Sequence, residues 1–282
     1  HLGIRHSLLN GSFTGYADLR RYNVIIMPSG YLEMGDYEVN ALNDWIKQGG
    51  TLIAHNRSSR FIATNETLGD VKQLQDVLDK SIDYNFDLLR EIYALEDNLD
   101  QEAALKHIVD LETTYPWELN ETNYSEDELK NRDKWQSIFM PSGAFVAGRT
   151  DQKHWLTFGT PKTLPVLYGN YPVLMTGNNA EAPIRIGELV ENSDVNEFRT
   201  INWSTLPAGK DIKVRMSGLV WPEAAQRIAN SAYLTREQVG KGQIILFAGE
   251  PNFRGSTRGT NRVWLNAIVY GPGLGTSPRI QL

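Results

Sequence analysis

The chain has 282 residues, enough for one large domain or two small ones, and 41 % of them are hydrophobic, enough to fill a real core. Its net charge of −6 is spread without long runs of one sign, which argues against a nucleic-acid partner, and no apolar run approaches the ~20 residues that span a bilayer. Cysteine is absent, so disulfides, thiolate metal sites and a cysteine nucleophile are excluded. The first residues, His1 to Arg5, lack the apolar stretch of a signal peptide, and any targeting signal is expected upstream.

The run Asn23-Val-Ile-Ile-Met-Pro28 reads as a strand covered on both faces. After a turn at Ser29-Gly30, Asp36 is expected to cap a helix with Val39, Leu42, Trp45 and Ile46 on one face. Gly49-Gly50 ends that helix, and Thr51 to Ala54 form the next strand, parallel to the first through a right-handed crossover.

Residues 66 to 138 read as an acidic helical insertion. Val71, Leu74 and Leu78 share a helical spacing, as do Leu88, Leu89, Ile92 and Tyr93, and then Leu105, Ile108 and Leu111. Ser125-Glu-Asp-Glu128 is a capping box that opens another helix, inside a very polar stretch from Asn120 to Arg132 expected to be mobile. From about 143 the text turns strand-like, with candidates at 143–147, 173–175, 184–186, 213–216 and 243–248. Trp221-Pro222 opens a short helix, Thr260 is expected to cap a closing helix with Val263, Trp264, Ala267 and Ile268 inward, and Gly271 to Gly275 reads as a flexible tail.

Three segments carry a family resemblance. They are Asp18 to Pro28 with Gly30 and Leu42 to Ala54, then Gly143 to Gly159, then Ser217 to Pro222 with the closing block Gly240 to Gly271, which holds Pro251, Phe253-Arg254, Gly259-Thr260 and Asn266-Ala267. Together they resemble the C-terminal, class I glutamine amidotransferase-like region of large bacterial zinc carboxypeptidases; Trp155 stands where that pattern has proline. The resemblance implies one α/β domain over 1–282, a three-layer α/β/α arrangement with a mostly parallel, flavodoxin-like sheet and a helical insertion. It further implies a non-catalytic accessory region of a secreted or periplasmic enzyme that hydrolyses C-terminal peptide bonds. Its partners are then the upstream peptidase domain and peptide substrate. The zinc of that family is held by His-x-x-Glu and a distant His. Here His1, His6, His55, His107 and His154 are followed three places on by Ile4, Leu9, Ser58, Asp110 and Thr157, so zinc belongs to the parent peptidase domain and no cofactor or metal is expected in this segment.

An amidotransferase carries its cysteine on the sharp turn after the central strand, near a helix N-terminus. The corresponding turn is His55-Asn-Arg-Ser-Ser59, without a cysteine. Open α/β sheets bind ligands at the carboxyl edge of their strands. On that ground His55, Asn56 and Arg57 are expected to line a vestigial pocket with Glu250, Asn252 and Arg254, the alternative for Arg254 being a packing role that fixes its loop. Two other readings stay open: a ligand- or carbohydrate-binding module at the sheet edge, and a serine hydrolase using Ser58 or Ser59 with His55 as base. His107, Asp110 and Glu112 are metal-capable at helical spacing but lack an evident third ligand partner, so an ordinary amphipathic helix is preferred there. His154-Trp155 reads as a surface turn, and Tyr115, Trp117 and Tyr124 as anchors of the insertion or, alternatively, as sugar platforms.

Overall fold

The run Val24 to Met27 forms strand β1 (Val24–Met27), and the crossover that follows is as the sequence spacing predicts: helix α1 (Asp36–Lys47), strand β2 (Thr51–His55) and helix α2 (Arg57–Thr64). This is seen in a computed structural model that describes residues 6–10, 15–30, 33–95, 125–192, 199–255, 257–274 and 276. Val39, Leu42, Trp45 and Ile46 of α1 are buried. Its N-cap is Gly35 rather than Asp36, because Glu38 reaches back and accepts from the Gly35 N–H at 3.0 Å. Gly49 leaves the helix at φ +115°, a conformation that costs glycine nothing.

The segment after α2 departs from the helical expectation. Residues 72–73 form a short strand β3 (Lys72–Gln73), and Leu74–Asp76 and Leu78–Lys80 are single 3-10 turns. Val71, Leu74 and Leu78 are buried as expected, but the backbone is drawn into the sheet: Leu74 N–H donates to the Val173 carbonyl, and Asp70 N–H to the Glu237 carboxylate. Helix α3 (Ser81–Leu95) buries Leu88, Leu89 and Ile92. The expected helix around Leu105 to Leu111, the triplet His107, Asp110 and Glu112, and the aromatics Tyr115, Trp117 and Tyr124 lie outside the described residues. Helix α4 (Glu126–Ser137) opens on the expected capping box, with Ser125 N–H donating to Glu128 at 2.7 Å, so 126–132 is helical and not a loop.

The second half is strand-rich. It runs β4 (Ala144–Thr150), β5 (Thr163–Tyr168), β6 (Leu174–Met175), β7 (Ala180–Ile186), β8 (Glu188–Glu191), β9 (Arg199–Ile201), β10 (Ser204–Leu206), β11 (Lys210–Lys213) and β12 (Arg215–Ser217). It closes with α5 (Pro222–Ile228), β13 (Ala232–Val239), β14 (Gly242–Phe247) and α6 (Arg258–Tyr270). The expected strand at 213–216 is divided: β11 pairs with β8, whereas β12 pairs with β4. The last helix starts three residues earlier than expected, with Thr257 at its N-cap; Thr260 is buried and donates to the Pro251 carbonyl at 2.6 Å. The expected flexible tail is held at its start, where the Gly271 and Leu274 carbonyls accept from Gln243 at 2.7 and 3.0 Å.

The fold is mixed α/β. Its main sheet follows the order β1-β2-β14-β13-β7-β4-β12, with β5 on the far edge of β4, β6 beside β13 and β3 beside β6. Among the described residues only β1, β2 and β14 pair in parallel, so the expectation of a mostly parallel sheet is corrected. The physical reason is connection length. β13 and β14 are joined across Gly240-Lys241, too short for the crossover that a parallel pair requires, and β13 then pairs antiparallel with β7, β7 with β4, and β4 with β5 and β12. In β2 and β14 both faces are covered: Leu52, Ile53, Ala54 and every residue of β14 are buried. The entry to β14 admits only glycine. A Cβ on Gly242 would lie 2.0 Å from the Ile46 carbonyl oxygen and 2.3 Å from that of Gly50.

Helices α4 and α5 are clamped by charge. Arg227 donates to both oxygens of Asp133, at 2.8 and 3.0 Å, and both side chains are buried. α4 buries only Asp133 and Gln136, so little apolar surface holds it in place. Removing one partner strands the other charge. We expect Asp133→Ala to cost about 3–5 kcal/mol in urea unfolding, and a double variant Asp133→Leu/Arg227→Met to recover most of that loss; a single variant as stable as the parent would contradict this assignment.

Candidate functional site

The parallel register sets the site. Phe247 of β14 stands opposite His55 of β2, so both strands end at the same level and their following loops emerge side by side. The chain passes from β2 to α2 through one residue, Asn56, with φ +52° and ψ −115°. Backbone in this region is strained for any residue with a Cβ, at a cost of about 1–3 kcal/mol. The turn is held from three directions. Asn56 N–H donates to the Phe247 carbonyl, its own carbonyl accepts from Arg60, and its side-chain Nδ2 donates to Oε1 of Glu250 at 3.2 Å. A carboxylate only accepts, so this last bond fixes the amide orientation.

Around this pair sit His55, Trp264, Tyr171 and Tyr233. The His55 ring meets Trp264 edge-on, with centroids 5.5 Å apart. Its Nδ1 is buried with no hydrogen-bond partner. Burial pushes the His55 pKa down, and the Glu250 carboxylate opposes that shift, so the imidazole is held toward its neutral form. Burial, and then the negative charge of Glu250, raise the Tyr171 phenol. The Tyr233 hydroxyl is fully buried without a partner. Of the six residues expected to line a pocket, the structure brings together His55, Asn56 and Glu250. Arg57, Asn252 and Arg254 are exposed. Arg254 holds a left-handed backbone, φ +50°, and its guanidinium lies 5.2 Å from the Phe253 ring centroid.

Ser58 and Ser59 are both fully buried. Ser58 Oγ donates to the Pro28 carbonyl at 2.6 Å and Ser59 Oγ to that of Phe247 at 2.8 Å. They tie α2 to the ends of β1 and β14, and neither bonds to His55. His154 is not on the surface as expected: its side chain is 10 % exposed, with Nδ1 accepting from Leu156 N–H and Nε2 3.3 Å from Glu181.

Sequence reasoning missed a second concave region. One cavity of about 250 Å³ lies between α3 and β7, lined by Glu91, Asp151, His154, Glu181 and Arg185, and a second, of about 560 Å³, shares Asp87 with it. Burial raises the Asp87 carboxyl, with Arg90 opposing. Arg185 is already engaged by Glu91 at 2.6 and 2.7 Å, by the Asn230 carbonyl and by Thr176. Among the described residues no group of three or more His, Asp or Glu side chains is placed to hold a metal ion. No helix among them is long and apolar enough to cross a membrane.

No known protein family matches the sequence, and no curated protein does. Among solved structures, the cytoplasmic protein STM3548 from Salmonella typhimurium is similar at a TM-score of 0.39 and 11 % identity, over 92 % of this chain and 78 % of that one.

Two measurements probe the site. The chain has no other cysteine, so Asn56→Cys carries a single thiol at the N-terminus of α2, where the helix favours the thiolate and Glu250 opposes it. Alkylation by iodoacetamide at neutral pH is expected to be roughly three-fold or more faster in Asn56→Cys/Glu250→Gln than in Asn56→Cys alone; equal rates would separate position 56 from Glu250. The second concerns pH. The folded His55 pKa lies below its unfolded value of 6.5, so the unfolded chain binds the proton first. This contribution to stability is complete above the unfolded pKa, declines as pH falls through it, and levels off below the folded pKa. Urea unfolding of His55→Phe should therefore lose less stability between neutral and mildly acid pH than the parent, and parallel curves would refute the shift.

Proposed function

We propose that the chain is a non-catalytic, amidotransferase-like domain of three-layer α/β/α type whose parallel strands are extended by antiparallel ones, and the accessory region of a secreted or periplasmic bacterial zinc carboxypeptidase. In this reading it supports the peptidase domain or positions peptide substrate, and the zinc that polarises the scissile carbonyl and activates water belongs to the peptidase domain. The observation that carries the proposal is Asn56. An amidotransferase places its nucleophile at a sharp strand-to-helix turn, and here that turn holds an amide engaged with Glu250. The serine hydroxyls that follow the turn, on Ser58 and Ser59, are committed to backbone carbonyls, which also speaks against the serine hydrolase reading. What supports the link to a peptidase is the resemblance of the three sequence segments.

A ligand-binding role for the same edge is the second reading. It is favoured by the half-buried cluster of His55, Asn56 and Glu250 beside Tyr171 and Trp264.

The test is turnover. The purified chain is incubated with added zinc and a peptide bearing a free C-terminal residue, and separately with glutamine and with an ester. The proposal expects no release of amino acid, ammonia or acid above the buffer rate. Added to the carboxypeptidase domain that it accompanies, the chain is expected to raise that domain's melting temperature. Turnover by the chain alone contradicts the non-catalytic reading, and an unchanged melting temperature contradicts the accessory role.

A further inference from the structure

Helices α4 and α5 and the turn after β3 enclose a cavity of about 310 Å³, at the lower end of the ~300–1,000 Å³ of small-molecule sites. One wall follows from helical spacing: Lys130, Asp133, Lys134 and Ser137 lie three and four residues apart on α4 and share one face. Asp76, from the 3-10 turn Leu74–Asp76, also lines the cavity, and so does Arg227 of α5, although Arg227 is only 7 % exposed. Its guanidinium is the informative group. Nε and Nη2 donate to the two oxygens of Asp133, and among the described residues no hydrogen bond uses Nη1. Nη1 is nonetheless not sealed in the interior. The two bonds to Asp133 fix the plane of the guanidinium, so Nη1 cannot turn to another partner, and a donor held in a largely desolvated recess calls for an acceptor.

The charges beside it select the sign of that acceptor. Lys134 is exposed and forms no ion pair among the described residues. Lys130 pairs with Glu126, one turn back on the exposed surface, and such a pair contributes little. Against these three cations the lining sets two carboxylates: Asp133, whose oxygens are taken by Arg227, and Asp76, which accepts from Gln73 at 3.2 Å. The lining is left with one positive charge, in a chain whose net charge is −6. We propose that this cavity binds a small oxyanion, a carboxylate or phosphate group, with Arg227 Nη1 and the ammonium groups of Lys130 and Lys134 as its donors. Arg227 supplies a donor of fixed direction, and the two lysines, on flexible stems, close on the anion from the α4 wall. The site shares no residue with the edge at His55, Asn56 and Glu250, and it stands whether or not that edge binds a ligand.

Amide NMR spectra of the 282-residue chain at neutral pH test this, with inorganic phosphate and, separately, acetate titrated at an ionic strength held constant with sodium chloride. Shifts centred on α4 and α5 are expected to saturate for at least one of the two anions, with a dissociation constant of about 1 mM or below. Which anion saturates distinguishes a phosphoryl from a carboxylate ligand. Lys130→Ala/Lys134→Ala is expected to raise that constant at least ~10-fold, whereas Lys241→Ala, an exposed lysine outside the cavity, leaves it unchanged. Asp133→Leu/Arg227→Met keeps both lysines and removes the guanidinium without stranding a charge, and it too is expected to bind at least ~10-fold more weakly. Circular dichroism confirms that each variant is folded. Shifts that grow without saturation for both anions, as when water alone fills the cavity, overturn the proposal. So does saturable binding that is indifferent to both lysines or to Arg227.

Discussion

The parallel pairing of β2 between β1 and β14 is the constraint on which the rest depends. β2 and β14 are covered on both faces, and their residues supply the most deeply buried part of the core, whereas β1 at the sheet edge buries only Met27 and leaves Ile26 exposed. Their register is pinned at the lower end by Gly242, where no side chain fits between α1 and the Gly50 carbonyl. It is pinned at the upper end by Ser58 and Ser59, which bind α2 to Pro28 and Phe247. A slip of one residue would turn the side chains of β14 to the opposite face and separate position 56 from position 250. The site is therefore a consequence of strand register before it is a consequence of any side chain.

At that edge, local strain is exchanged for polar organisation. Asn56 holds a backbone geometry that glycine would hold more cheaply, and the turn persists because its N–H, its carbonyl and its side chain are all engaged. Asparagine suits the position: it tolerates positive φ better than most residues, and its amide donates to a carboxylate. Glu250 then carries the negative charge near the N-terminus of α2, which has no acidic residue in its first turn. The result is a firm, half-buried polar cluster in which His55 is held toward neutrality and the hydroxyls of Ser58 and Ser59 are committed to backbone carbonyls. Such an edge is better suited to holding a group than to attacking one.

Local signals in the sequence carried the β1-α1-β2 unit, the capping box at Ser125 and the apolar face of the closing helix, because each is written in contiguous residues. The capping box and glycine terminator need no tertiary information, and neither does the strand at the first apolar run; its expected cover on both faces is not found, because β1 lies at the sheet edge with Ile26 exposed. The direction of β13 and β4 was not legible, since β13 with its alternating polar residues was not read as a strand and the hairpin connections were therefore invisible. Val71, Leu74 and Leu78 satisfied a helical spacing, yet Leu74 N–H donates to Val173 and the neighbouring Asp70 N–H to Glu237, about a hundred or more residues away. Within the site, His55, Asn56 and Glu250 were found because two loops leave neighbouring strands. Tyr171 and Tyr233 were missed because only the folded sheet brings them to Glu250. The buried Asp133–Arg227 pair was equally silent, as nothing in a charged helix marks which charge turns inward.

The central claim is that Asn56 and Glu250 act as one unit at the carboxyl edge of the sheet. A double-mutant cycle with Asn56→Ala and Glu250→Ala, followed by urea unfolding at neutral pH, measures that coupling directly. A bond from an amide to a carboxylate predicts a coupling of about 1 kcal/mol or more. Strictly additive losses would mean that the two residues do not meet, and the account of the site would be wrong.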